Sequence, residues 1–389
     1  MHPPPVVALG RALLHDLDRL TDALVAAIVA EDPSYPGLSA ADLRASCSDN
    51  LRRVLQVLID ECPDPDPFDA PRATGSRRAE QGVPLESVLH AYRLGHRGIW
   101  DGLVALARGG EAGVEPLVEA ASEVWAVVDR FSSAVADAYR KTAEDVARQD
   151  AGRRESLLDA LLEGRGSERT VLAAAGAALD LPEQGRYAVV VLDGHALARP
   201  AEDALSVRGY RTAWRSRADC EIGLVCLGRS APSDVVTALQ GVLAARAGVS
   251  PAVDGLQEVD VAHRLAVTAL RALPPGQVEV VELDARLPAA LLVTAPDLAA
   301  RIVQRALGPV LALDPREGGA LLETLAVWLD TGGSAGRTAE RLFCHRNTVL
   351  NRLRRIEALT GRSIERVDDL VEWSLALLAH SVGDASATG

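Results

Sequence analysis

The spacing of apolar residues changes twice along this chain, and those changes limit what each stretch can become. From residue 1 to about 150 the spacing is helical. Leu13, Leu17, Leu20, Leu24 and Ile28 recur every three or four positions, and so do Leu51, Val54, Leu55 and Leu58. A third helix carries Val88, Leu89, Tyr92, Leu94 and Ile99. A fourth starts near Pro116, a good first-turn residue, and carries Val124, Val127, Val128, Phe131 and Val135. Breaks are expected from Asp32-Pro33 to Pro36 and at Pro63-Asp64-Pro65-Asp66-Pro67, where successive prolines forbid helix. The fourth helix is expected to continue through the charged stretch Lys141 to Glu155 into Leu157–Leu162 and to end at Gly164. A long polar helix of this kind joins domains as a dimer stalk or a signal-transmitting rod.

In residues 166–313 the rhythm changes. Tyr187 to Leu192 is a β-branched run that predicts a strand, and Trp214 with Ile222 to Leu227 predicts a hairpin. Val235 to Ala247 predicts a helix, Gly248 to Val253 a short strand, Val259 to Leu273 a helix and Val278 to Leu283 another strand. This order implies an α+β sheet of ferredoxin-like type. Residues 314–389 are helical again. Leu321, Leu322, Leu325 and Leu329 share a face, Thr331-Gly332-Gly333 stops that helix, and Ser334 can cap the next. A three-residue turn, Phe343-Cys344-His345, then leads into a helix from Arg346 to about Leu359. The fold expected is multidomain: an all-α domain at 1–150, a linker helix at 151–165, an α+β domain at 166–313 and an all-α domain at 314–389, with a small polar tail after Val382.

The charge distribution singles out the last domain. The net charge is −13, which argues against indiscriminate coating of nucleic acid. Yet Arg337 to Arg355 holds six Arg and one Glu, a net of +5 in 19 residues. Two helices joined by a tight turn, the second amphipathic and rich in Arg, form the pattern of a helix-turn-helix. Val349, Leu353 and Ile356 take the inner face. Arg346, Asn347, Thr348, Asn351, Arg352, Arg354 and Arg355 are left outward or flanking, with Arg337, Thr338 and His345 on the approach. Arg can fork onto guanine and Asn can bond adenine bidentately, so the first turn suits base edges, whereas Arg354 and Arg355 suit phosphates. An ordinary solvated Arg-rich helix would look similar. Aromatic residues total only 3%, with none clustered near the basic helix, which favours duplex DNA over single strands.

These residues also carry a resemblance. Leu321-Leu322-Glu323-Thr324-Leu325, Gly332-Gly333, His345-Arg346-Asn347-Thr348-Val349, Arg352-Leu353-Arg354-Arg355-Ile356-Glu357 and Leu359-Thr360-Gly361 resemble the C-terminal domain of PucR-like transcriptional regulators, which include purine-catabolism and carbohydrate-diacid regulators. Gly248 to Leu256, followed by Ala266 and Ala269-Leu270, is similar to the degenerate GGDEF-like domain that such proteins place before it. Ala91-Tyr92-Arg93-Leu94-Gly95 resembles, more distantly, the helical sensor of RsbR-like stressosome proteins. Together the three likenesses cover most of the chain. They imply a regulator whose DNA-binding domains move in response to a small molecule or a protein partner, acting on double-stranded DNA as a dimer or higher oligomer.

The residues that other chemistries require are missing or misplaced. A cyclic-dinucleotide synthase needs two glycines and then two acids in its hairpin. The counterpart here is Arg217-Ala218-Asp219-Cys220, and Asp219 alone cannot hold two Mg²⁺ ions, so no enzymatic activity is expected. A degenerate pocket that still takes a ligand stays open, as does a protein-interaction module of the stress-signalling kind. Gly332-Gly333-Ser334-Ala335-Gly336 matches a nucleophile elbow, with Asp368 and His380 following in hydrolase order, but such an elbow must follow a strand and this one follows a helix. A P-loop needs Lys, and the only one is Lys141, in a charged helix. Five scattered cysteines without a CxxC imply no disulfide framework or cysteine-rich metal site, and Cys344 is read as a turn residue before a redox sensor. Tyr92, His96 and Trp100 lie at i, i+4 and i+8 on one helical face, where they pack a core or line a small-molecule pocket. His90 is off that face, so no metal pair is expected, and no cofactor is implied. No apolar run reaches the ~18–20 residues of a membrane span and no leader pattern opens the chain, so a cytoplasmic setting is expected.

Overall fold

The computed structural model describes residues 4–35, 37–62, 66–109, 114–195, 197–274 and 276–383. Pro36, Pro63, Asp64, Pro65 and the polar tail beyond residue 383 lie outside these. The chain divides into two compact units, Met1–Gly152 and Arg153–Gly389.

The first unit is all helix. It holds α1 (Pro4–His15), α2 (Leu17–Glu31), α3 (Ala40–Leu58), α4 (Asp69–Glu80), α5 (Leu85–Gly109), α6 (Glu115–Glu119) and most of α7 (Ala121–Leu162). The expected apolar positions form its core, among them Leu24, Ile28, Leu51, Leu55, Leu58, Val88, Ile99 and Phe131. Ser39 caps α3 by accepting a hydrogen bond from the Asp42 amide. α4 carries few apolar residues and so shows no helical stripe in the sequence. Its fit depends instead on Gly75, whose absent Cβ would lie 2.4 Å from the Val135 carbonyl oxygen of α7. From Val146 to Ser156 every residue of α7 is exposed or half-exposed, and Lys141 just before is exposed too. Gly164, at φ +89°, follows its end.

The second unit opens with α8 (Arg169–Leu179) and a sheet with helices between its strands. These are β1 (Arg186–Asp193), α9 (Ala198–Val207), β2 (Arg211–Ser216), β3 (Cys220–Cys226), α10 (Pro232–Gln240), β4 (Ala247–Val249), β5 (Val253–Asp254), α11 (Val259–Arg271) and β6 (Val280–Glu282). The order is β2-β3-β1-β4-β6, with β5 paired to β1. β1 is antiparallel to β3 and β4, and β6 adds to β4 in parallel. The first four strands with α9 and α10 are thus a split βαβ pair, the ferredoxin-like arrangement expected. The expected strand Gly248–Val253 is split in two, since Pro251 has no N–H to give a ladder. Ser250 fills the gap: its hydroxyl accepts from the Val189 amide at 2.9 Å and donates to the Pro251 carbonyl at 2.8 Å. The expected helix from Val235 stops at Gln240, and Ala247 is already in a strand.

Five helices complete the second unit with α12 (Leu287–Thr294): α13 (Pro296–Leu311), α14 (Pro315–Asp330), α15 (Ala335–Arg341), α16 (Arg346–Thr360) and α17 (Val367–Gly383). Leu307, Val310, Leu325, Trp328, Val349, Leu353, Ile356 and Trp373 are buried together between α13, α14, α16 and α17. Among the described residues, no single helix is long and apolar enough to cross a membrane.

Candidate nucleic-acid interface

The helix-turn-helix is held by its own polar groups. α14 stops where Gly332 and Gly333 take φ +64° and +78°. Ser334 caps α15, accepting from the Arg337 amide, and Asp314 caps α14 in the same way. The Thr331 and Thr338 hydroxyls meet at 2.8 Å, and the Arg337 guanidinium donates to the Thr331 carbonyl at 2.6 Å. His345 caps α16 through Nδ1, which accepts from the Asn347 amide. Gly361, at φ +67°, ends the helix.

This lattice sorts the candidate residues. Thr338 has no exposed surface and spends its hydroxyl on Thr331 and the Ser334 carbonyl, so it is corrected from contact residue to structural staple. Arg352 is half-buried and donates to the Thr324 hydroxyl at 3.0 Å, tying α16 to α14, so it flanks the outward face. Arg337 keeps an exposed side chain, with its guanidinium anchored inward. What remains is one face. Asn347, Asn351 and Arg354 are exposed and, among the described residues, their side chains make no hydrogen bond or ion pair. Their spacing of four and three residues stacks them along one side of α16. Arg346 is exposed at the helix start and Thr348 half-exposed beside it. Arg355 is exposed, with Nε 3.6 Å from Glu317 Oε1, an exposed pair of little strength.

One residue of this surface escaped the sequence reading. Phe343, in the turn, is 96% exposed and has φ +51°. A phenylalanine in a helix-connecting turn reads as a core residue from its type alone. Only the need for a left-handed residue at a tight turn could have flagged it.

Elsewhere the expected residues separate. Tyr92 and His96 line a pocket of about 50 Å³ in the first unit, whereas Trp100 does not. Trp100 lies 6.2 Å, centroid to centroid, from Trp125, in a surface groove that His96 also borders. Burial pushes the Tyr92 phenol up and holds the His96 imidazole at about 4, so both are neutral at pH 7.

At the hairpin, Asp219 sits in the β2–β3 turn and its neighbouring acids are occupied. Glu221 is buried and accepts from the Leu197 and Ala198 amides at 2.6 Å, fastening the start of α9. Asp159 pairs with Arg215 and Arg217, and Asp193 with Arg246. Carboxylates committed in this way are poor metal ligands.

Comparison with known proteins places these pieces. Residues 18–154 match the RsbT co-antagonist protein rsbRD N-terminal domain, 163–272 the GGDEF-like domain and 321–379 the PucR C-terminal helix-turn-helix domain. The purine catabolism regulatory protein of Bacillus subtilis (strain 168) is 42% identical over 67 residues, which is 17% of this chain and 13% of that relative. The crystal structure of the regulator of polyketide synthase expression from Bifidobacterium adolescentis is 19% identical, covers 61% of this chain and 94% of its own, and superposes with a TM-score of 0.33.

Proposed function

From a chain that joins an RsbRD-type N-terminal domain and a GGDEF-like domain to a PucR-type helix-turn-helix, the domain composition of a PucR-like regulator, we propose a transcriptional regulator that reads double-stranded DNA through α16. The observation that carries this is the unpartnered face of Asn347, Asn351 and Arg354, on a helix whose other side is fixed by Val349, Leu353 and Ile356. Polar side chains kept free of internal partners are available to base edges and phosphates, and Asn and Arg are the types that bond adenine and guanine in pairs. A small molecule or protein signal acting on the first unit would set its affinity. The reading involves two or more copies of the chain, because helix-turn-helix proteins pair half-sites by symmetry. It involves no catalytic step. A role as a protein-interaction module with no DNA partner is the competing reading.

The deciding experiment is selection of binding sites from random DNA by the purified protein. Variants are then assayed on the selected site and on a scrambled one at two salt concentrations. Asn347→Ala or Arg346→Ala should cost about 1–3 kcal/mol on the selected site and relax preference at one position. Arg355→Ala should weaken both DNAs alike and flatten the slope of log affinity against log salt by roughly 0.9. Equal losses on both DNAs for all three variants would remove α16 from the groove, and failure to select any DNA would favour the interaction module.

A further inference from the structure

We propose that the groove bordered by α5 and α7 in the first unit is where a second copy of this chain docks, the two copies being related by a two-fold axis. This names the surface on which the copies in the reading above meet, and it rests on that reading for their DNA partner alone.

The groove has an aromatic centre. Trp100 of α5 and Trp125 of α7 lie 6.2 Å apart between centroids, with their planes tilted by 34°. Trp125 keeps 51% of its surface exposed. Leaving so large an apolar side chain half in water gives up stabilisation that burial would supply. Tryptophan is also among the side chains most enriched at the buried centre of protein interfaces.

Four charges surround that centre. Arg93, Arg97 and Asp101 follow one another at intervals of four along α5, and Asp129 stands on α7; all are exposed and all line the groove. Among the described residues, none of the four makes an ion pair or a side-chain hydrogen bond. Arg97 and Asp101 even have the i, i+4 spacing at which opposite charges pair on a helix. Elsewhere in the same unit such charges do pair. Arg44 reaches Asp18 at 3.0 Å and Asp22 at 2.8 Å, and Arg77 and Arg78 both reach Asp42 at 2.6 Å.

The balance of signs selects the occupant. A groove shaped for an acidic or a basic segment of another protein would carry one sign, complementary to that segment. Two cations with two anions make a surface complementary to itself. In a two-fold contact, residue i of one copy meets residue j of the other and j meets i, so the arginines of each copy face the carboxylates of the other. An apolar centre inside a polar rim is the common layout of such contacts.

The test is sedimentation of the full chain at micromolar concentration without DNA. Two variants reverse the charges: Asp101→Arg with Asp129→Arg, and Arg93→Asp with Arg97→Asp. Wild type should dimerise. Each variant alone should dimerise at least a hundredfold more weakly, because like charges then face each other. An equal mixture of the two should regain the wild-type affinity as a heterodimer, which no merely structural role of these side chains would produce. Trp125→Ala should weaken the wild-type dimer about thirtyfold. A monomeric wild type, reversed variants that dimerise like wild type, or a mixture that stays monomeric would each overturn the proposal. Thermal melting checks that the variants fold; where one does not, an unchanged Kd in Trp125→Ala overturns it instead. Since no DNA is present, failure here and failure of the DNA-binding reading are separable.

Discussion

At the residue scale, the side chains that matter most are those whose type and surroundings disagree. His96 is one. Its imidazole titrates near 4 where it stands, against an ordinary 6.5, because burial penalises the charged form. The folded protein therefore binds fewer protons than the unfolded chain between these values. Stability from this group is complete above pH 6.5 and is lost as pH falls toward 4, amounting to about 3 kcal/mol. Urea titrations of wild type and His96→Phe across pH 4–7 should show that component in the wild type alone. Phe343 is the other. It has no packing to lose and pays for a left-handed backbone, worth about 1 kcal/mol. Phe343→Asn should leave Tm unchanged or raised. If DNA affinity falls in the same variant, the ring touches DNA and the strain is kept for that contact. The outward Asn and Arg residues of α16 were legible in the sequence, because the inner stripe Val349, Leu353 and Ile356 leaves them no other side. The inward turn of Thr338 and Arg352 was not, because it depends on hydroxyls of α14 and its following turn that lie 7 and 28 residues away in sequence.

At the scale of elements, close approach of backbones sets the assembly. A Cβ on Gly248 of β4 would lie 2.2 Å from the Ala266 carbonyl oxygen and 2.4 Å from the Leu270 nitrogen, both backbone atoms of α11. Gly248→Ala should cost about 3 kcal/mol or prevent folding of the second unit, since neither partner can yield as a side chain would. Circular dichroism and thermal melting of the variant check this, and an unchanged melt would show that α11 shifts freely over the sheet. Long amphipathic helices were readable from spacing alone, and β1 from its β-branched run. Short elements were not. β4 and β5 are divided by Pro251 and bridged by the Ser250 hydroxyl, and α4 is positioned by a glycine. Neither leaves a periodic trace, because the forces that place them act between segments distant in sequence.

At the scale of the whole molecule, two compact units lie on one chain, and α7 runs through the boundary at Gly152. Between Val146 and Ser156 the side chains are exposed, and the helix is supported there by pairs such as Asp145–Arg148 at 3.1 Å and, near the end of the stretch, Glu155–Arg215 at 3.0 Å. Glycine in an exposed helix interior weakens it by about 1 kcal/mol more. Local opening should therefore be most frequent here. Limited trypsin digestion should cut first at Arg148, Arg153 or Arg154 and yield two stable fragments, identified by mass. First cuts inside β1–β6 or α13–α17 would refute this. The exposed stretch has one more property. Lys141 lies just before it and is the only lysine in the chain. Apart from the terminal amine, every reagent or enzyme that modifies amino groups has a single side chain to act on, and it stands on the helix that runs from the first unit into the second. A dye, a cross-linker or an acetyl group placed there would be stoichiometric and unambiguous in position without any engineering.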